Sequence, residues 1–301
     1  MKIAVSGLGK MGIQIAKMLS ASNHEVFAHD ISLDQRKLAV AAGLKVYDDP
    51  VELVHAFGTD RVVIWMMIPA SVVSEAMDTW LNILEPGDLL IDGGNSDYRQ
   101  TIIHSTKASS MQINFIDVGT SGGILGMENG FSMMVGGNQE TFKFIEPVLR
   151  ALSLPNGTYK YFGTNGAGHF VKMVHNAVEY GVMESLAEGY RLLKDGPYKN
   201  VDLANVATVW QKGSIIESTL NGLALEIFKE NPNLDGIDGF VAESGEAAWA
   251  LESGRTFNVD MPSIRAARQV RLETKAGEVN FATKLLAALR NKFGGHAINR
   301  S

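Results

Sequence analysis

The spacing of apolar residues changes character once along the chain. Up to about residue 165, short apolar runs alternate with segments whose apolar residues recur at helical spacing; beyond it the short runs largely stop. The runs at 2–6, 25–29, 62–67, 89–91, 114–118, 131–136 and 159–162 read as strands, and the spacing predicts helices from 13, over 33–42, 72–84 and 139–152. Strands alternating with helices require parallel pairing through crossovers, so the first part is expected to be an α/β, Rossmann-like doubly wound sheet. The second part predicts helices over 168–194, 202–211, 214–230, 244–253, 262–275 and 280–292, separated by Gly, Pro and Asn clusters. The expected organisation is a sheet domain over 1–165 and an all-α domain over 166–301.

The first strand runs into Gly7-Leu8-Gly9-Lys10-Met11-Gly12 and a helix follows. In that context the first glycine permits a tight turn, the second lets the backbone approach a pyrophosphate, and the third allows close packing of helix on strand. The second strand ends at Asp30, 18 residues beyond Gly12, where an acid can accept hydrogen bonds from the adenine ribose. These residues predict a dinucleotide site. Repulsion between Asp30 and a 2′-phosphate predicts NAD in preference to NADP.

Two further glycine turns follow strands. One is Asp92-Gly93-Gly94-Asn95-Ser96 and the other Gly119-Thr120-Ser121-Gly122-Gly123. Each is consistent either with backbone N–H groups converging on a carboxylate or with ordinary turn chemistry. At the change of pattern, Gly166-Ala167-Gly168 leads into a long glycine-free segment. There Lys172, Asn176 and Glu179 stand at i, i+4 and i+7, on one face of a helix, with His169 and His175 beside them. An amine and a carboxyl two turns apart can serve as base and acid on one small molecule if that face looks into a cleft; otherwise they are a solvated charged stripe.

Composition narrows the classes. Apolar residues make up 46% of the chain and charged residues 20%, with a net charge of −6, as in a soluble globular protein. The apolar run 62–73 is broken by Pro69 and is too short to span a bilayer, and Gly7 interrupts any leader, so a cytoplasmic protein is expected. With no cysteine, thiolate catalysis and Cys-ligated metal sites are excluded, and the seven histidines lack metal-ligand spacing. Residues 255–301 carry nine Lys or Arg against three acids, while the rest of the chain carries 18 against 30. A basic segment on an acidic protein suits a small anion better than a nucleic acid.

The glycine fingerprint, the two turns and above all Gly168-His169-Phe170-Val171-Lys172-Met173-Val174-His175-Asn176 with Glu179-Tyr180 resemble the decarboxylating 6-phosphogluconate dehydrogenases, in their short form. The wider β-hydroxyacid dehydrogenases share the fingerprint and the lysine and asparagine spacing. The resemblance implies an NAD(P)-dependent oxidoreductase of the pentose phosphate pathway, without a metal. It implies that Lys172 takes the proton of the C3 hydroxyl during oxidation, and then assists loss of carbon dioxide from the β-keto acid. Glu179 would protonate the enediol to give ribulose 5-phosphate.

By the same resemblance His175 and Asn176 would orient substrate hydroxyls, and Ser121, Gly122 and Gly123 would hold the C1 carboxylate. Asn95 would lie between nicotinamide and substrate, with Gly7, Leu8, Gly9, Lys10, Met11, Gly12, Asp30 and Met67 at the cofactor. Tyr180 and Arg271 would bind the phosphate. Arg290-Asn291-Lys292-Phe293-Gly294-Gly295-His296 resembles the long form's tail, which would make Arg290 and His296 ligands in a neighbouring subunit's site and the enzyme a homodimer or homotetramer. The pattern breaks at Ser244 and Glu246, where the long form has a lysine and a threonine. A carboxylate beside a phosphate is unfavourable unless other cations intervene. That departure keeps open a β-hydroxyacid dehydrogenase for an unphosphorylated acid; a non-catalytic NAD-binding sensor is the remaining alternative, with no membrane or nucleic-acid partner in any of the three.

Overall fold

The computed structural model describes residues 1–298. Arg300, counted above in the basic segment, lies outside them. The chain divides into two compact units between Met173 and Val174.

The first unit runs β1 (Lys2–Ser6), α1 (Lys10–Ala21), β2 (Glu25–His29), α2 (Leu33–Ala41), β3 (Lys45–Tyr47), α3 (Pro50–His55), β4 (Val63–Met66), α4 (Val73–Leu81), β5 (Leu89–Asp92), α5 (Tyr98–Ser110), β6 (Asn114–Ser121), α6 (Gly126–Asn129), β7 (Ser132–Gly137), α7 (Gln139–Ser153) and β8 (Thr158–Gly163). Its eight strands form one sheet in the order β3-β2-β1-β4-β5-β6-β7-β8. Side chains alternate between two hydrophobic layers, as the pleat demands. Ile3, Val5, Trp65, Ile91 and Val118 face one layer, which includes Ile15 and Leu19 of α1 and Ile145 and Leu149 of α7. Ala4, Phe27, Ile64, Met66 and Leu90 face the other, with Leu53, Met77 and Trp80. Each such burial is worth about 1.5–3 kcal/mol, so both faces are fixed by composition.

One pairing departs from the expected all-parallel sheet. Strands β3 to β6 run parallel, but β7 lies antiparallel to β6 and β8 follows β7. The connection from Ser121 to Ser132 holds only a 3-10 turn over Gly123–Leu125 and the single turn α6. A parallel pair needs a crossover of about a dozen residues or more, usually a helix. The three-residue strand β3 escaped the periodicity, as did two helices that carry no clear apolar stripe. These are the short α3 and the helix α5, whose buried residues are Thr101, His104 and Ala108.

Helix α8 (Ala167–Asp195) crosses the division between the units. The second unit continues with α9 (Leu203–Trp210), α10 (Thr219–Glu230), α11 (Glu246–Thr256), α12 (Pro262–Thr274) and α13 (Phe281–Gly294). The helix expected from 214 begins only at Thr219, because the Ser218 hydroxyl accepts the Asn221 N–H and caps it there. An aromatic cluster joins α8 to its neighbours: the Tyr190 ring lies 5.1 Å from Trp210 and 4.8 Å from Phe228, and its hydroxyl donates to Asn221 Oδ1 at 2.6 Å. No helix among the described residues is long and apolar enough to cross a membrane.

Candidate active site

The parallel strands β1, β2, β4, β5 and β6 bring their carboxyl ends to one edge of the sheet, where the glycine turns lie. Gly7 takes φ +93°, and a Cβ there would stand 2.5 Å from the Met67 carbonyl oxygen. A Cβ on Gly12 would stand 1.8 Å from the Gly7 oxygen, so both positions are closed to any side chain by the chain's own backbone. Gly9 is different: a Cβ there would meet no protein atom within 4 Å. The open space above Gly9 faces the start of α1, whose first turn has neither a side-chain cap nor an acid. Such a terminus presents the positive end of the helix dipole, a fit for a pyrophosphate.

Asp30 closes the second side of this cradle. Its carboxylate accepts the N–H of Leu8 at 2.6 Å and of Ser32 at 2.7 Å, and Arg36 donates to the Asp30 carbonyl at 2.8 Å. The acid at the end of β2 is thereby fixed against the glycine loop. Lys10 is exposed and Met11 half-buried on α1, while the Met67 sulfur accepts from the Trp65 indole at 3.1 Å.

The turn after β5 resolves one of the two open readings. Asp92 is fully buried, and its own carboxylate accepts the Gly94 N–H at 3.1 Å and the Ser96 hydroxyl at 2.8 Å. An anion supplied by the chain itself therefore occupies the Gly94 amide, as in an Asx turn. Asn95, half-buried, follows in the same turn. In the turn after β6, Gly122 has φ +139° and Gly123 φ +54°, with Ser121 the last strand residue.

Asp117, fully buried in β6, organises the start of α8. One carboxylate oxygen accepts the Gly166 N–H at 2.8 Å and the other the His169 N–H at 2.9 Å. Burial pushes the Asp117 carboxyl above its usual range. The His169 ring, 1% exposed, shares a hydrogen bond of 2.7 Å with the Thr101 hydroxyl. Gly168 lies flat on the sheet, since a Cβ would stand 2.4 Å from the Met134 oxygen and 2.7 Å from the Gly136 nitrogen. One turn further on is Lys172, 7% exposed, packed on Gly119 of β6.

In the second unit α8 presents His175, Asn176 and Glu179, all half-buried. The His175 Nδ1 lies 2.9 Å from Asn176 Oδ1 and 4.0 Å from Glu179 Oε2. Asn176 Nδ2 donates to Glu246 Oε1 at 2.9 Å, and Glu246 is 3% exposed. The Tyr180 hydroxyl lies 3.2 Å from Ser244 Oγ and accepts the Ser244 N–H at 3.3 Å. Arg271, 2% exposed, stacks its guanidinium 3.2 Å from the centre of the Tyr180 ring.

The tail reading assigns Arg290 to a neighbouring subunit, but here it is 6% exposed within its own chain, and it faces Tyr180, Glu246 and Glu179 electrostatically. Helix α13 packs on α10 and α12 and draws it in. Burial opposes the charge of both guanidiniums and pushes them down. His296 lies exposed beyond α13, its carbonyl accepting from Asn291 Nδ2 at 2.8 Å. Sequence reasoning thus found the stripe of α8 and the tyrosine with its arginines. It missed Asp117, Thr101 and the engagement of Glu246, which depend on contacts between distant segments.

Residues 2–163 match the NAD binding domain of 6-phosphogluconate dehydrogenase, and residues 168–284 its C-terminal domain. The Bacillus subtilis protein YqeC is 36% identical over 303 residues, covering all of both chains. An NAD(+)-dependent, decarboxylating 6-phosphogluconate dehydrogenase of Haloferax volcanii is 35% identical over 305 residues, covering 100% of this chain and 99% of that one. Among solved structures, Plasmodium falciparum 6-phosphogluconate dehydrogenase superposes with a TM-score of 0.81 at 23% identity, over 96% of this chain and 70% of that one, a likeness of fold. The glycine cradle, the buried lysine of α8 and the matches along the chain lead to one conclusion: the chain belongs to the 6-phosphogluconate dehydrogenase family.

Proposed function

We propose that the chain catalyses oxidative decarboxylation of 6-phosphogluconate to ribulose 5-phosphate and carbon dioxide. The observation that carries this reading is Lys172, a buried amine on a helix whose same face holds Asn176 and Glu179. Bound nicotinamide supplies a hydride acceptor for C3. Lys172, as the neutral amine, takes the proton of the C3 hydroxyl, which leaves a β-keto acid. The ammonium so formed then donates to the keto oxygen, where negative charge gathers as C1 departs as carbon dioxide. Glu179 gives its proton to the carbon that becomes C1 of the product. His175 and Asn176 orient hydroxyls, Asn95 separates substrate from cofactor, and Ser121, Gly122 and Gly123 hold the carboxylate.

Tyr180, Arg271 and Arg290 form the phosphate end in this reading. The two buried guanidiniums outweigh Glu246, so a phosphate dianion relieves charge that burial opposes. Ser244 and Glu246, which kept an unphosphorylated substrate open, are engaged with Tyr180 and Asn176. For the cofactor we propose NAD over NADP: Asp30, held by the Leu8 and Ser32 amides at the end of β2, would repel a 2′-phosphate. We further propose a cytoplasmic homo-oligomer, dimer or tetramer, in which the exposed His296 reaches a neighbouring copy.

With 6-phosphogluconate and NAD, reduced cofactor and carbon dioxide should appear in equal amounts. Reduction without carbon dioxide would remove the decarboxylation step. Faster turnover of gluconate than of 6-phosphogluconate would favour the unphosphorylated substrate instead.

A further inference from the structure

The carboxylate of Glu246, at the position where the resemblance puts a threonine of the long form, is 3% exposed at the first position of α11. A chain of two hydrogen bonds links it to His175. Asn176 Nδ2 donates to Glu246 Oε1 at 2.9 Å, and Asn176 Oδ1 lies 2.9 Å from His175 Nδ1. Arg290, also buried, faces the carboxylate electrostatically.

The direction of this chain follows from donor and acceptor chemistry. An ionised carboxylate accepts only, so the end of the Asn176 amide that faces Glu246 has to be the NH2 group. The carbonyl end is then turned to His175. A carbonyl also accepts only, so His175 Nδ1 has to carry the proton. In a neutral imidazole that leaves the lone pair on Nε2.

We propose that Glu246 is a positioning residue: through Asn176 it fixes His175 as the Nδ1–H tautomer, presenting Nε2 as an acceptor to a substrate hydroxyl. The assignment of that hydroxyl to 6-phosphogluconate rests on the function proposed above; the tautomer does not. The arrangement has a second effect. With its Nδ1 proton committed to Asn176 at 2.9 Å rather than to Glu179 at 4.0 Å, His175 leaves the Glu179 carboxyl to its own proton transfer. Glu246 thus serves the sugar hydroxyls, and its charge is offset by Arg290. A glutamine at this position could face Asn176 with either end, so the amide and the imidazole would lose their enforced direction.

Nitrogen-detected NMR of full-length protein labelled with 15N-histidine reads the tautomer directly, with His175→Gln identifying the resonance. Expected in the wild type is a protonated Nδ1 and an unprotonated Nε2 at neutral pH. In Glu246→Gln the signal should move to the Nε2–H form or to a mixture. The kcat/KM for 6-phosphogluconate should fall about tenfold, while NAD affinity stays unchanged. A wild-type His175 in the Nε2–H form overturns the proposal without any variant, and so does a Glu246→Gln protein whose His175 keeps the wild-type tautomer. If the tautomer changes as expected but the wild type does not turn over 6-phosphogluconate, the positioning role stands and the substrate assignment falls.

Discussion

Gly119 of β6 and Lys172 of α8 leave no room between them. A Cβ on Gly119 would lie 2.3 Å from Lys172 Cβ and 2.9 Å from its Cγ, with the Gly168 carbonyl oxygen at 3.1 Å. The stem of the amine therefore rests on bare backbone, and the helix behind it is held by Gly168 on the same strands. Gly119→Ala should displace Lys172 while leaving the glycine cradle intact. A misplacement of about 1 Å costs on the order of a hundredfold in rate. Steady-state kinetics should show that loss in kcat with NAD affinity unchanged; near wild-type kcat would mean the lysine does not depend on this contact.

Lys172→Met keeps the packing of the stem and removes the amine. If Lys172 is the base, hydride transfer should fall by about 10²–10⁴, the usual range for a positioned proton acceptor. Binding of NAD, followed by fluorescence titration, should persist. A variant that still reduces cofactor within about tenfold of the wild type would exclude Lys172 from the proton transfer.

What was legible in the sequence was what lies close along the chain. The glycine loop of 7–12 and the stripe of Lys172, Asn176 and Glu179 are encoded by spacings of two to four residues, and helix geometry converts those of the stripe into a common face. The carboxylate that anchors the stripe was not legible: Asp117 is 49 residues from Gly166 and 52 from His169, and only the sheet brings them together. Periodicity also carries no strand direction, so the reversal at β7 escaped notice, although the short link from Ser121 to Ser132 was the available signal. The resemblance gives Arg290 to the site of a neighbouring subunit, whereas in its own chain the residue is buried. Motif resemblance says nothing about which copy of a helix supplies it.

Asp30 should set the cofactor. In Asp30→Ser the repulsion towards a 2′-phosphate disappears, and Arg36, which already donates to the Asp30 and Ile31 carbonyls, remains nearby as a cation. The ratio of kcat/KM for NAD to that for NADP should fall by about tenfold or more, the equivalent of ~1.4 kcal/mol. NAD affinity should also drop, because the Leu8 and Ser32 amides lose their acceptor. An unchanged ratio would show that another group discriminates between the cofactors.

Glu184 should impose a pH dependence on stability of opposite sign to that of an ordinary carboxylate. It is 7% exposed on α8 and lines a cavity of about 670 Å³ with Glu188, Glu273 and Glu278. Burial, reinforced by Glu188 and opposed by Arg271, raises its carboxyl from 4.5 to about 7. Between those values the folded chain binds a proton that the unfolded chain has lost. The group's contribution is therefore fully present below about 4.5 and is lost as pH rises through about 7. Glu184→Gln removes the titration. Relative to the wild type it should gain stability across that window, by on the order of 1–3 kcal/mol at its upper end. Urea unfolding of both proteins at about pH 5 and about pH 8 measures the difference. A gap between the two proteins that is the same at both values would mean that Glu184 titrates alike in the folded and unfolded chain.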